Sequence, residues 1–155
     1  MDFRNISNAG FTLVELVITL TIAGIILVAV IPGFQSFIER NRIRASVNVF
    51  VTHLQLARSE ALKRNRFVVL CPSSDGASCI SDYTQWAKGY IVFVDSDRNK
   101  LRDNNEPLLK YYQGEKEKVT IYSSSNYRRI VAYYPSGMAW GLNTSIRFCA
   151  KVSDA

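Results

Sequence analysis

The chain has 155 residues, 48% of them apolar and 21% charged, with a formal charge of +6. That is enough for one domain with a real core; it excludes a disordered polyelectrolyte and two full domains side by side. The basic balance permits contact with nucleic acid or anionic headgroups, and it equally describes an ordinary solvated surface.

Met1 to Gly10 form a short polar leader carrying Arg4, followed by twenty-one residues, Phe11 to Ile31, in which Glu15 is the one ionisable side chain. At about 1.5 Å per residue such a run spans the roughly 30 Å hydrocarbon core of a bilayer, so residues 11–32 are expected to form a membrane anchor. In a secretory signal the cleavage site follows the apolar stretch; here the plausible cut site precedes it. A carboxylate on a membrane helix costs roughly 2.5–3.5 kcal/mol near the bilayer centre, so Glu15 needs a partner or a place at the interface.

The junction Ala9-Gly10-Phe11-Thr12-Leu13-Val14-Glu15 resembles the class III leader of type IV prepilins and type II secretion pseudopilins. The resemblance implies cleavage between Gly10 and Phe11 by a prepilin peptidase, with N-methylation of Phe11. It also implies an assembly role for Glu15, whose carboxylate would meet the amino group of a neighbouring subunit's Phe11. Pro32, next to Gly33, would bend or locally melt the helix. The chain would sit in the inner membrane as a single-pass protein before joining an extracellular pilus, its soluble domain periplasmic or extracellular.

Beyond Gly33 the pattern becomes amphipathic. Ile43, Val47, Phe50, Leu54, Ala57 and Ala61 recur at four- and three-residue steps, which predicts a helix to about Asn65 with one face on a core. Arg40, Arg42, Arg44, Arg58, Lys63 and Arg64 fall mostly on its other faces. From Phe67 onward β-branched and aromatic residues predict strands over 67–71, 90–95, 107–113, 119–122, 130–134 and 145–149. No helical pattern intervenes, so the sheet should be antiparallel. One helix across it makes residues 33–155 an α+β domain.

Cys71, Cys79 and Cys149 all lie beyond the apolar run, where an exported portion would permit disulfides. Cys71 and Cys79 enclose a short Pro/Ser/Asp/Gly-rich loop and are the favoured pair. Cys149, in an apolar strand pattern, is either a buried free thiol or a partner to one of them.

Asp95, Asp97, Asn99, Asp103 and Glu106 stand at positions 1, 3, 5, 9 and 12 of an EF-hand-like loop, oxygen ligands of the kind calcium takes. Lys100 stands where that loop needs glycine, the flanks read as strands, and Arg98, Lys100 and Arg102 neutralise the charge. A plain polar connection is therefore the favoured reading; calcium, if bound, would order the loop. His53, the only histidine, falls near the boundary of the amphipathic face. Ser59 and Glu60 belong to a helical charge repeat. With no zinc, nucleophile-elbow or nucleotide-binding pattern, neither an enzyme nor a cofactor is expected.

Leu56-Ala-Arg-Ser-Glu-Ala-Leu-Lys-Arg-Asn65, Cys71-Pro72, Trp86-Ala-Lys-Gly-Tyr-Ile-Val-Phe-Val-Asp95, Pro135-Ser-Gly137 and Phe148-Cys149 resemble the FimT/FimU and GspH group of minor pilins and pseudopilins. The cysteine pattern and Leu70-Cys-Pro-Ser73 favour the pilus branch; the alternative is a GspH-like minor pseudopilin of a type II secretion system. The resemblance implies a subunit at or near the pilus tip that supports assembly with other major and minor pilins. Some FimT-like members bind double-stranded DNA for natural transformation through a Gly-Arg-X-Arg segment, which these residues do not contain. What remains for DNA is Lys110 beside Tyr111 and Tyr112, Arg128 and Arg129 after Tyr127, and Lys116, Lys118, Arg147 and Lys151. They would combine phosphate contacts with base stacking, unless the tyrosines pack the sheet.

Overall fold

The computed structural model describes residues 10–82, 85–114, 119–123, 130–140 and 145–150, with backbone alone at 29–33. The chain divides into two compact units, Met1–Ile38 and Glu39–Ala155, and one helix, α1 (Leu13–Arg64), contributes to both.

In the first unit Thr12 caps the helix: its Oγ1 accepts the Glu15 N–H at 3.3 Å, satisfying one of the free amides of the first turn. The hydroxyls of Thr19 and Thr21 donate back to the carbonyls of Leu16 and Val17, so these polar groups are satisfied within the helix. Every side chain from Phe11 to Val28 is exposed. Among the described residues no helix is long and apolar enough to cross a membrane; the apolar run of the sequence continues through residues 29–31, outside the described side chains. The backbone stays helical through Pro32 and Gly33, although a proline removes one donor from the ladder.

In the second unit the predicted stripe faces a core: Phe50, Ala57 and Ala61 are buried, with Ile43 and Leu54 packed against them. The six basic residues assigned to the other faces are exposed. The helix ends where predicted because Asn65 takes a left-handed conformation (φ 51°). The Arg66 N–H then bonds the Ala61 carbonyl and the Asn65 N–H that of Leu62, a Schellman cap.

The strands are β1 (Phe67–Pro72), β2 (Gly89–Asp95), β3 (Leu108–Gln113), β4 (Val119–Ser123), β5 (Val131–Tyr133), β6 (Ala139–Trp140) and β7 (Ile146–Ala150), with a 3-10 helix at Gln85–Lys88. Five of them form an antiparallel sheet in the order β3-β2-β1-β5-β6. Val68, Leu70 and Val92 point to the helix side, and Phe67, Val69, Ile91 and Phe93 to the other. Cys79, Tyr111, Tyr134 and Trp140 pack against that second face. Burial on both faces is why β1 and β2 read as unbroken apolar runs rather than alternating ones.

Among the described residues the strands form two sheets rather than the single one expected from the sequence. There β4 and β7 pair with each other and not with the larger sheet, from Val119↔Ala150 to Ser123↔Ile146. Val119 and Ile121 join the helix-side core, and Phe148 meets Phe50 edge-on with ring centroids 5.7 Å apart. Hydrophobic alternation marks a strand but does not name its partner. β6, two residues long, carries too little pattern to be predicted.

Candidate functional site

At the amino-terminal junction, Gly10 and Phe11 precede the first helical turn. Phe11 is 79% exposed, and among the described residues nothing lies within 4 Å of where a side chain on Gly10 would stand. Glu15 sits in the first turn of α1, where a carboxylate suits the positive end of the helix. Its side chain is exposed and forms no ion pair among the described residues.

Cys71 and Cys79 are joined, with Cα atoms 5.6 Å apart. Cys149 is free and exposed, which corrects the reading of it as a buried thiol or alternative partner. Along β7 the inward positions are Ile146 and Phe148, so the next residue must face out. Inside the disulfide loop Asp75 acts as a knot: Oδ1 accepts from the Ser78 and Ala77 amides and the Ser73 hydroxyl, and Oδ2 from the Ser78 hydroxyl. The Ser78 and Ala77 amides, followed by the hydroxyls, hold its carboxyl well below the usual carboxylate range.

The loop between β2 and β3 brings three of its five oxygen-bearing candidates together. One carboxylate oxygen from each of Asp95, Asp97 and Glu106 lies within 4.8 Å of the others. Asn99 and Asp103 brace the cluster instead: Asn99 Nδ2 donates to Asp97 Oδ2 at 2.9 Å and to Asp103 Oδ2 at 3.1 Å. Glu106 is buried, its two oxygens accepting the amides of Ser96 and Asp103 at 2.6 and 3.2 Å.

His53 lies inside the helix-side core rather than at its boundary. Its Nδ1 is 2.7 Å from the Tyr90 hydroxyl, and the Tyr112 ring stacks on Tyr90 with centroids 4.9 Å apart. Burial, then the Lys110 charge, lowers the imidazole below its ordinary value, while burial pushes the Tyr90 hydroxyl up. The two groups therefore share this hydrogen bond in their neutral forms. Ser59 and Glu60 lie in the last turns of α1, where Glu60 pairs with Arg64 and, at 4.0 Å, Lys63. An apolar groove of about 450 Å³ between α1 and β5–β7 is lined, among the described residues, by apolar side chains, Trp140 and Phe148 among them. Those residues bring no convergent polar groups of the kind an active site uses.

Of the DNA candidates, Lys110 is exposed on β3 and Arg147 on β7, in different sheets. Tyr112 is committed to the core, and the Tyr111 hydroxyl donates to the Ser74 carbonyl at 3.3 Å, so packing is the better account of both rings. Lys116, Lys118, Arg128, Arg129 and Lys151 lie outside the described residues, as does Tyr127. No pattern in the sequence marks the 3-10 helix, whose Trp86 is fully buried against Phe50.

Residues 46–155 match the family profile of type II transport protein GspH, and residues 6–31 match the prokaryotic N-terminal methylation motif. The pilin-like protein PilA1 of Thermus thermophilus is 28% identical over 124 residues, covering 80% of this chain and 66% of that relative. The chain thus spans just under two thirds of that relative's length. Among solved structures, the type IV minor pilin FimU of Pseudomonas aeruginosa shares the fold, with a TM-score of 0.54 and 20% identity over 73% of this chain and 75% of that one.

Proposed function

The chain belongs to the GspH family of type IV pilin-like proteins, and we propose that it is a minor pilin cut between Gly10 and Phe11, methylated on Phe11 and held in the inner membrane by residues 11–32 until it joins a filament near the tip. The observation that carries this reading is the segment from Phe11 to Val28, which runs into the first half of α1, exposed throughout and apolar except for Glu15 and a few threonines. Such a helix needs lipid or other helices around it. Lipid surrounds it before assembly; the equivalent helices of other pilins replace the lipid afterwards. Glu15 selects the register: an amino group on a neighbour's Phe11 supplies the partner that its own chain does not, and a misplaced subunit leaves a charge unpaired in an apolar bundle.

A Glu15→Val chain tests this. It should fractionate with membranes like the wild type, yet fall at least about tenfold in filaments sheared from cells, since losing one member of a buried pair costs about 3–5 kcal/mol. Undiminished recovery in filaments would remove Glu15 from assembly. Mass spectrometry of the filament form should find a chain beginning at N-methylated Phe11.

The type II transport description of the matching family profile favours a second reading, a minor pseudopilin. Deletion of the subunit would then block secretion of exported proteins and leave surface pili intact. DNA capture is a finer reading of the pilus role, supported by the net charge of +6 and by the exposed Lys110 and Arg147.

A further inference from the structure

The loop from Asp95 to Glu106 brings three carboxylates together in one place. We propose that Asp95, Asp97 and Glu106 form a calcium site that fixes this loop against the body of the domain.

The spacing suits one ion. Calcium–oxygen distances are about 2.3–2.6 Å, so two ligands on opposite sides of an ion stand roughly 4.8 Å apart, and the three carboxylate oxygens lie within 4.8 Å of one another. Asp95 is the buried member, 1% exposed. Its Oδ2 accepts the Lys100 amide at 2.9 Å, but its Oδ1 is shut away from solvent and makes no hydrogen bond among the described residues. A carboxylate oxygen buried without a donor is costly unless a cation meets it.

Two features of the sequence that argue against a cation lose their force in the structure. The basic residues of the loop do not neutralise the acidic ones. Lys100 Nζ stands 4.1 Å from the centre of the Trp140 ring. Arg102 donates to the Ala77 and Glu106 carbonyls at 2.8 and 3.4 Å, and Arg98 is exposed. None of the three forms an ion pair with the cluster among the described residues. The missing glycine is not needed either, because Lys100 itself adopts the left-handed conformation (φ 66°) that the sharp turn requires.

The rival occupant is a proton. Burial foremost, with Asp97 and Glu106 adding to it, raises the Asp95 carboxyl above its ordinary value, while the Lys100 and Arg98 amides pull it down. Because Arg102 ties the loop to Ala77, a bound ion would also steady the neighbouring disulfide loop.

The test uses the full chain in detergent micelles, stripped of metal with EDTA, then titrated with calcium chloride or magnesium chloride. Calcium should bind with a Kd of about 0.1–1 mM, the range of extracellular calcium modules. It should move the amide NMR signals of residues 96–106 and raise Tm by several degrees at about 10 mM. Magnesium, which demands a tighter octahedral shell, should do much less at equal concentration. Asp97→Asn, at an exposed position, should keep the metal-free Tm and weaken calcium binding at least about tenfold. If that variant lowers the metal-free Tm, the wild-type calcium and magnesium titrations decide alone. The proposal is overturned if wild-type signals and Tm ignore calcium, if magnesium acts equally, or if a folded Asp97→Asn chain binds undiminished.

Discussion

His53 shows how a residue's role turns on what the fold places against it. Tyr90 from β2 meets its Nδ1, Tyr112 from β3 lies across its ring, and the Lys110 charge, also from β3, opposes protonation. The folded imidazole therefore binds a proton less readily than the unfolded one, whose value is 6.5. Its contribution to stability is complete above that value and is lost as pH falls through 6.5 toward the lower folded one. Thermal melts between about pH 7.5 and 5 should show Tm dropping with acidification. His53→Gln, which keeps an acceptor for the Tyr90 hydroxyl but cannot titrate, should flatten that drop. Equal pH dependence in the two chains would place the proton uptake elsewhere.

At the scale of the element, the segment after β1 depends on its disulfide. Cys71 is buried at the end of a central strand, and Cys79 packs on the sheet face opposite α1. With eight residues of separation, closing this loop restricts the unfolded chain by about 2–3 kcal/mol. The Cys71→Ser, Cys79→Ser double variant should lose about that much in a denaturant melt, and dithiothreitol should act on the wild type in the same direction. Cys149→Ser should leave stability unchanged, because its thiol is free and faces solvent. The local pairing was accessible from the sequence because the loop is short. The outward turn of Cys149 was not, because on a five-residue strand a phase error of one residue exchanges inside for outside.

For the whole molecule the open question is what the basic surface meets. Capture of DNA predicts micromolar binding of short duplexes by the full chain in micelles, with log K falling linearly against log salt. Lys110→Glu and Arg147→Glu should each lower that slope by about 1 if the residues contact phosphate. No binding at low salt would leave filament building as the role. The placement of these two residues in separate sheets means that a common DNA track would have to run across both.

The local pattern of the chain was enough to establish the apolar run after Gly10, the helical stripe from Ile43 to Ala61, six of the seven strands to within a residue or two, and the α+β class. These depend on periodicity and on residue chemistry at short range. Tertiary structure alone decided that β4 and β7 leave the main sheet, that His53 is a core residue, and that Asp95, Asp97 and Glu106 converge while Arg98, Lys100 and Arg102 turn elsewhere. Strand partners and the direction of a charged side chain are chosen by packing between segments far apart in sequence, and no local pattern encodes that choice.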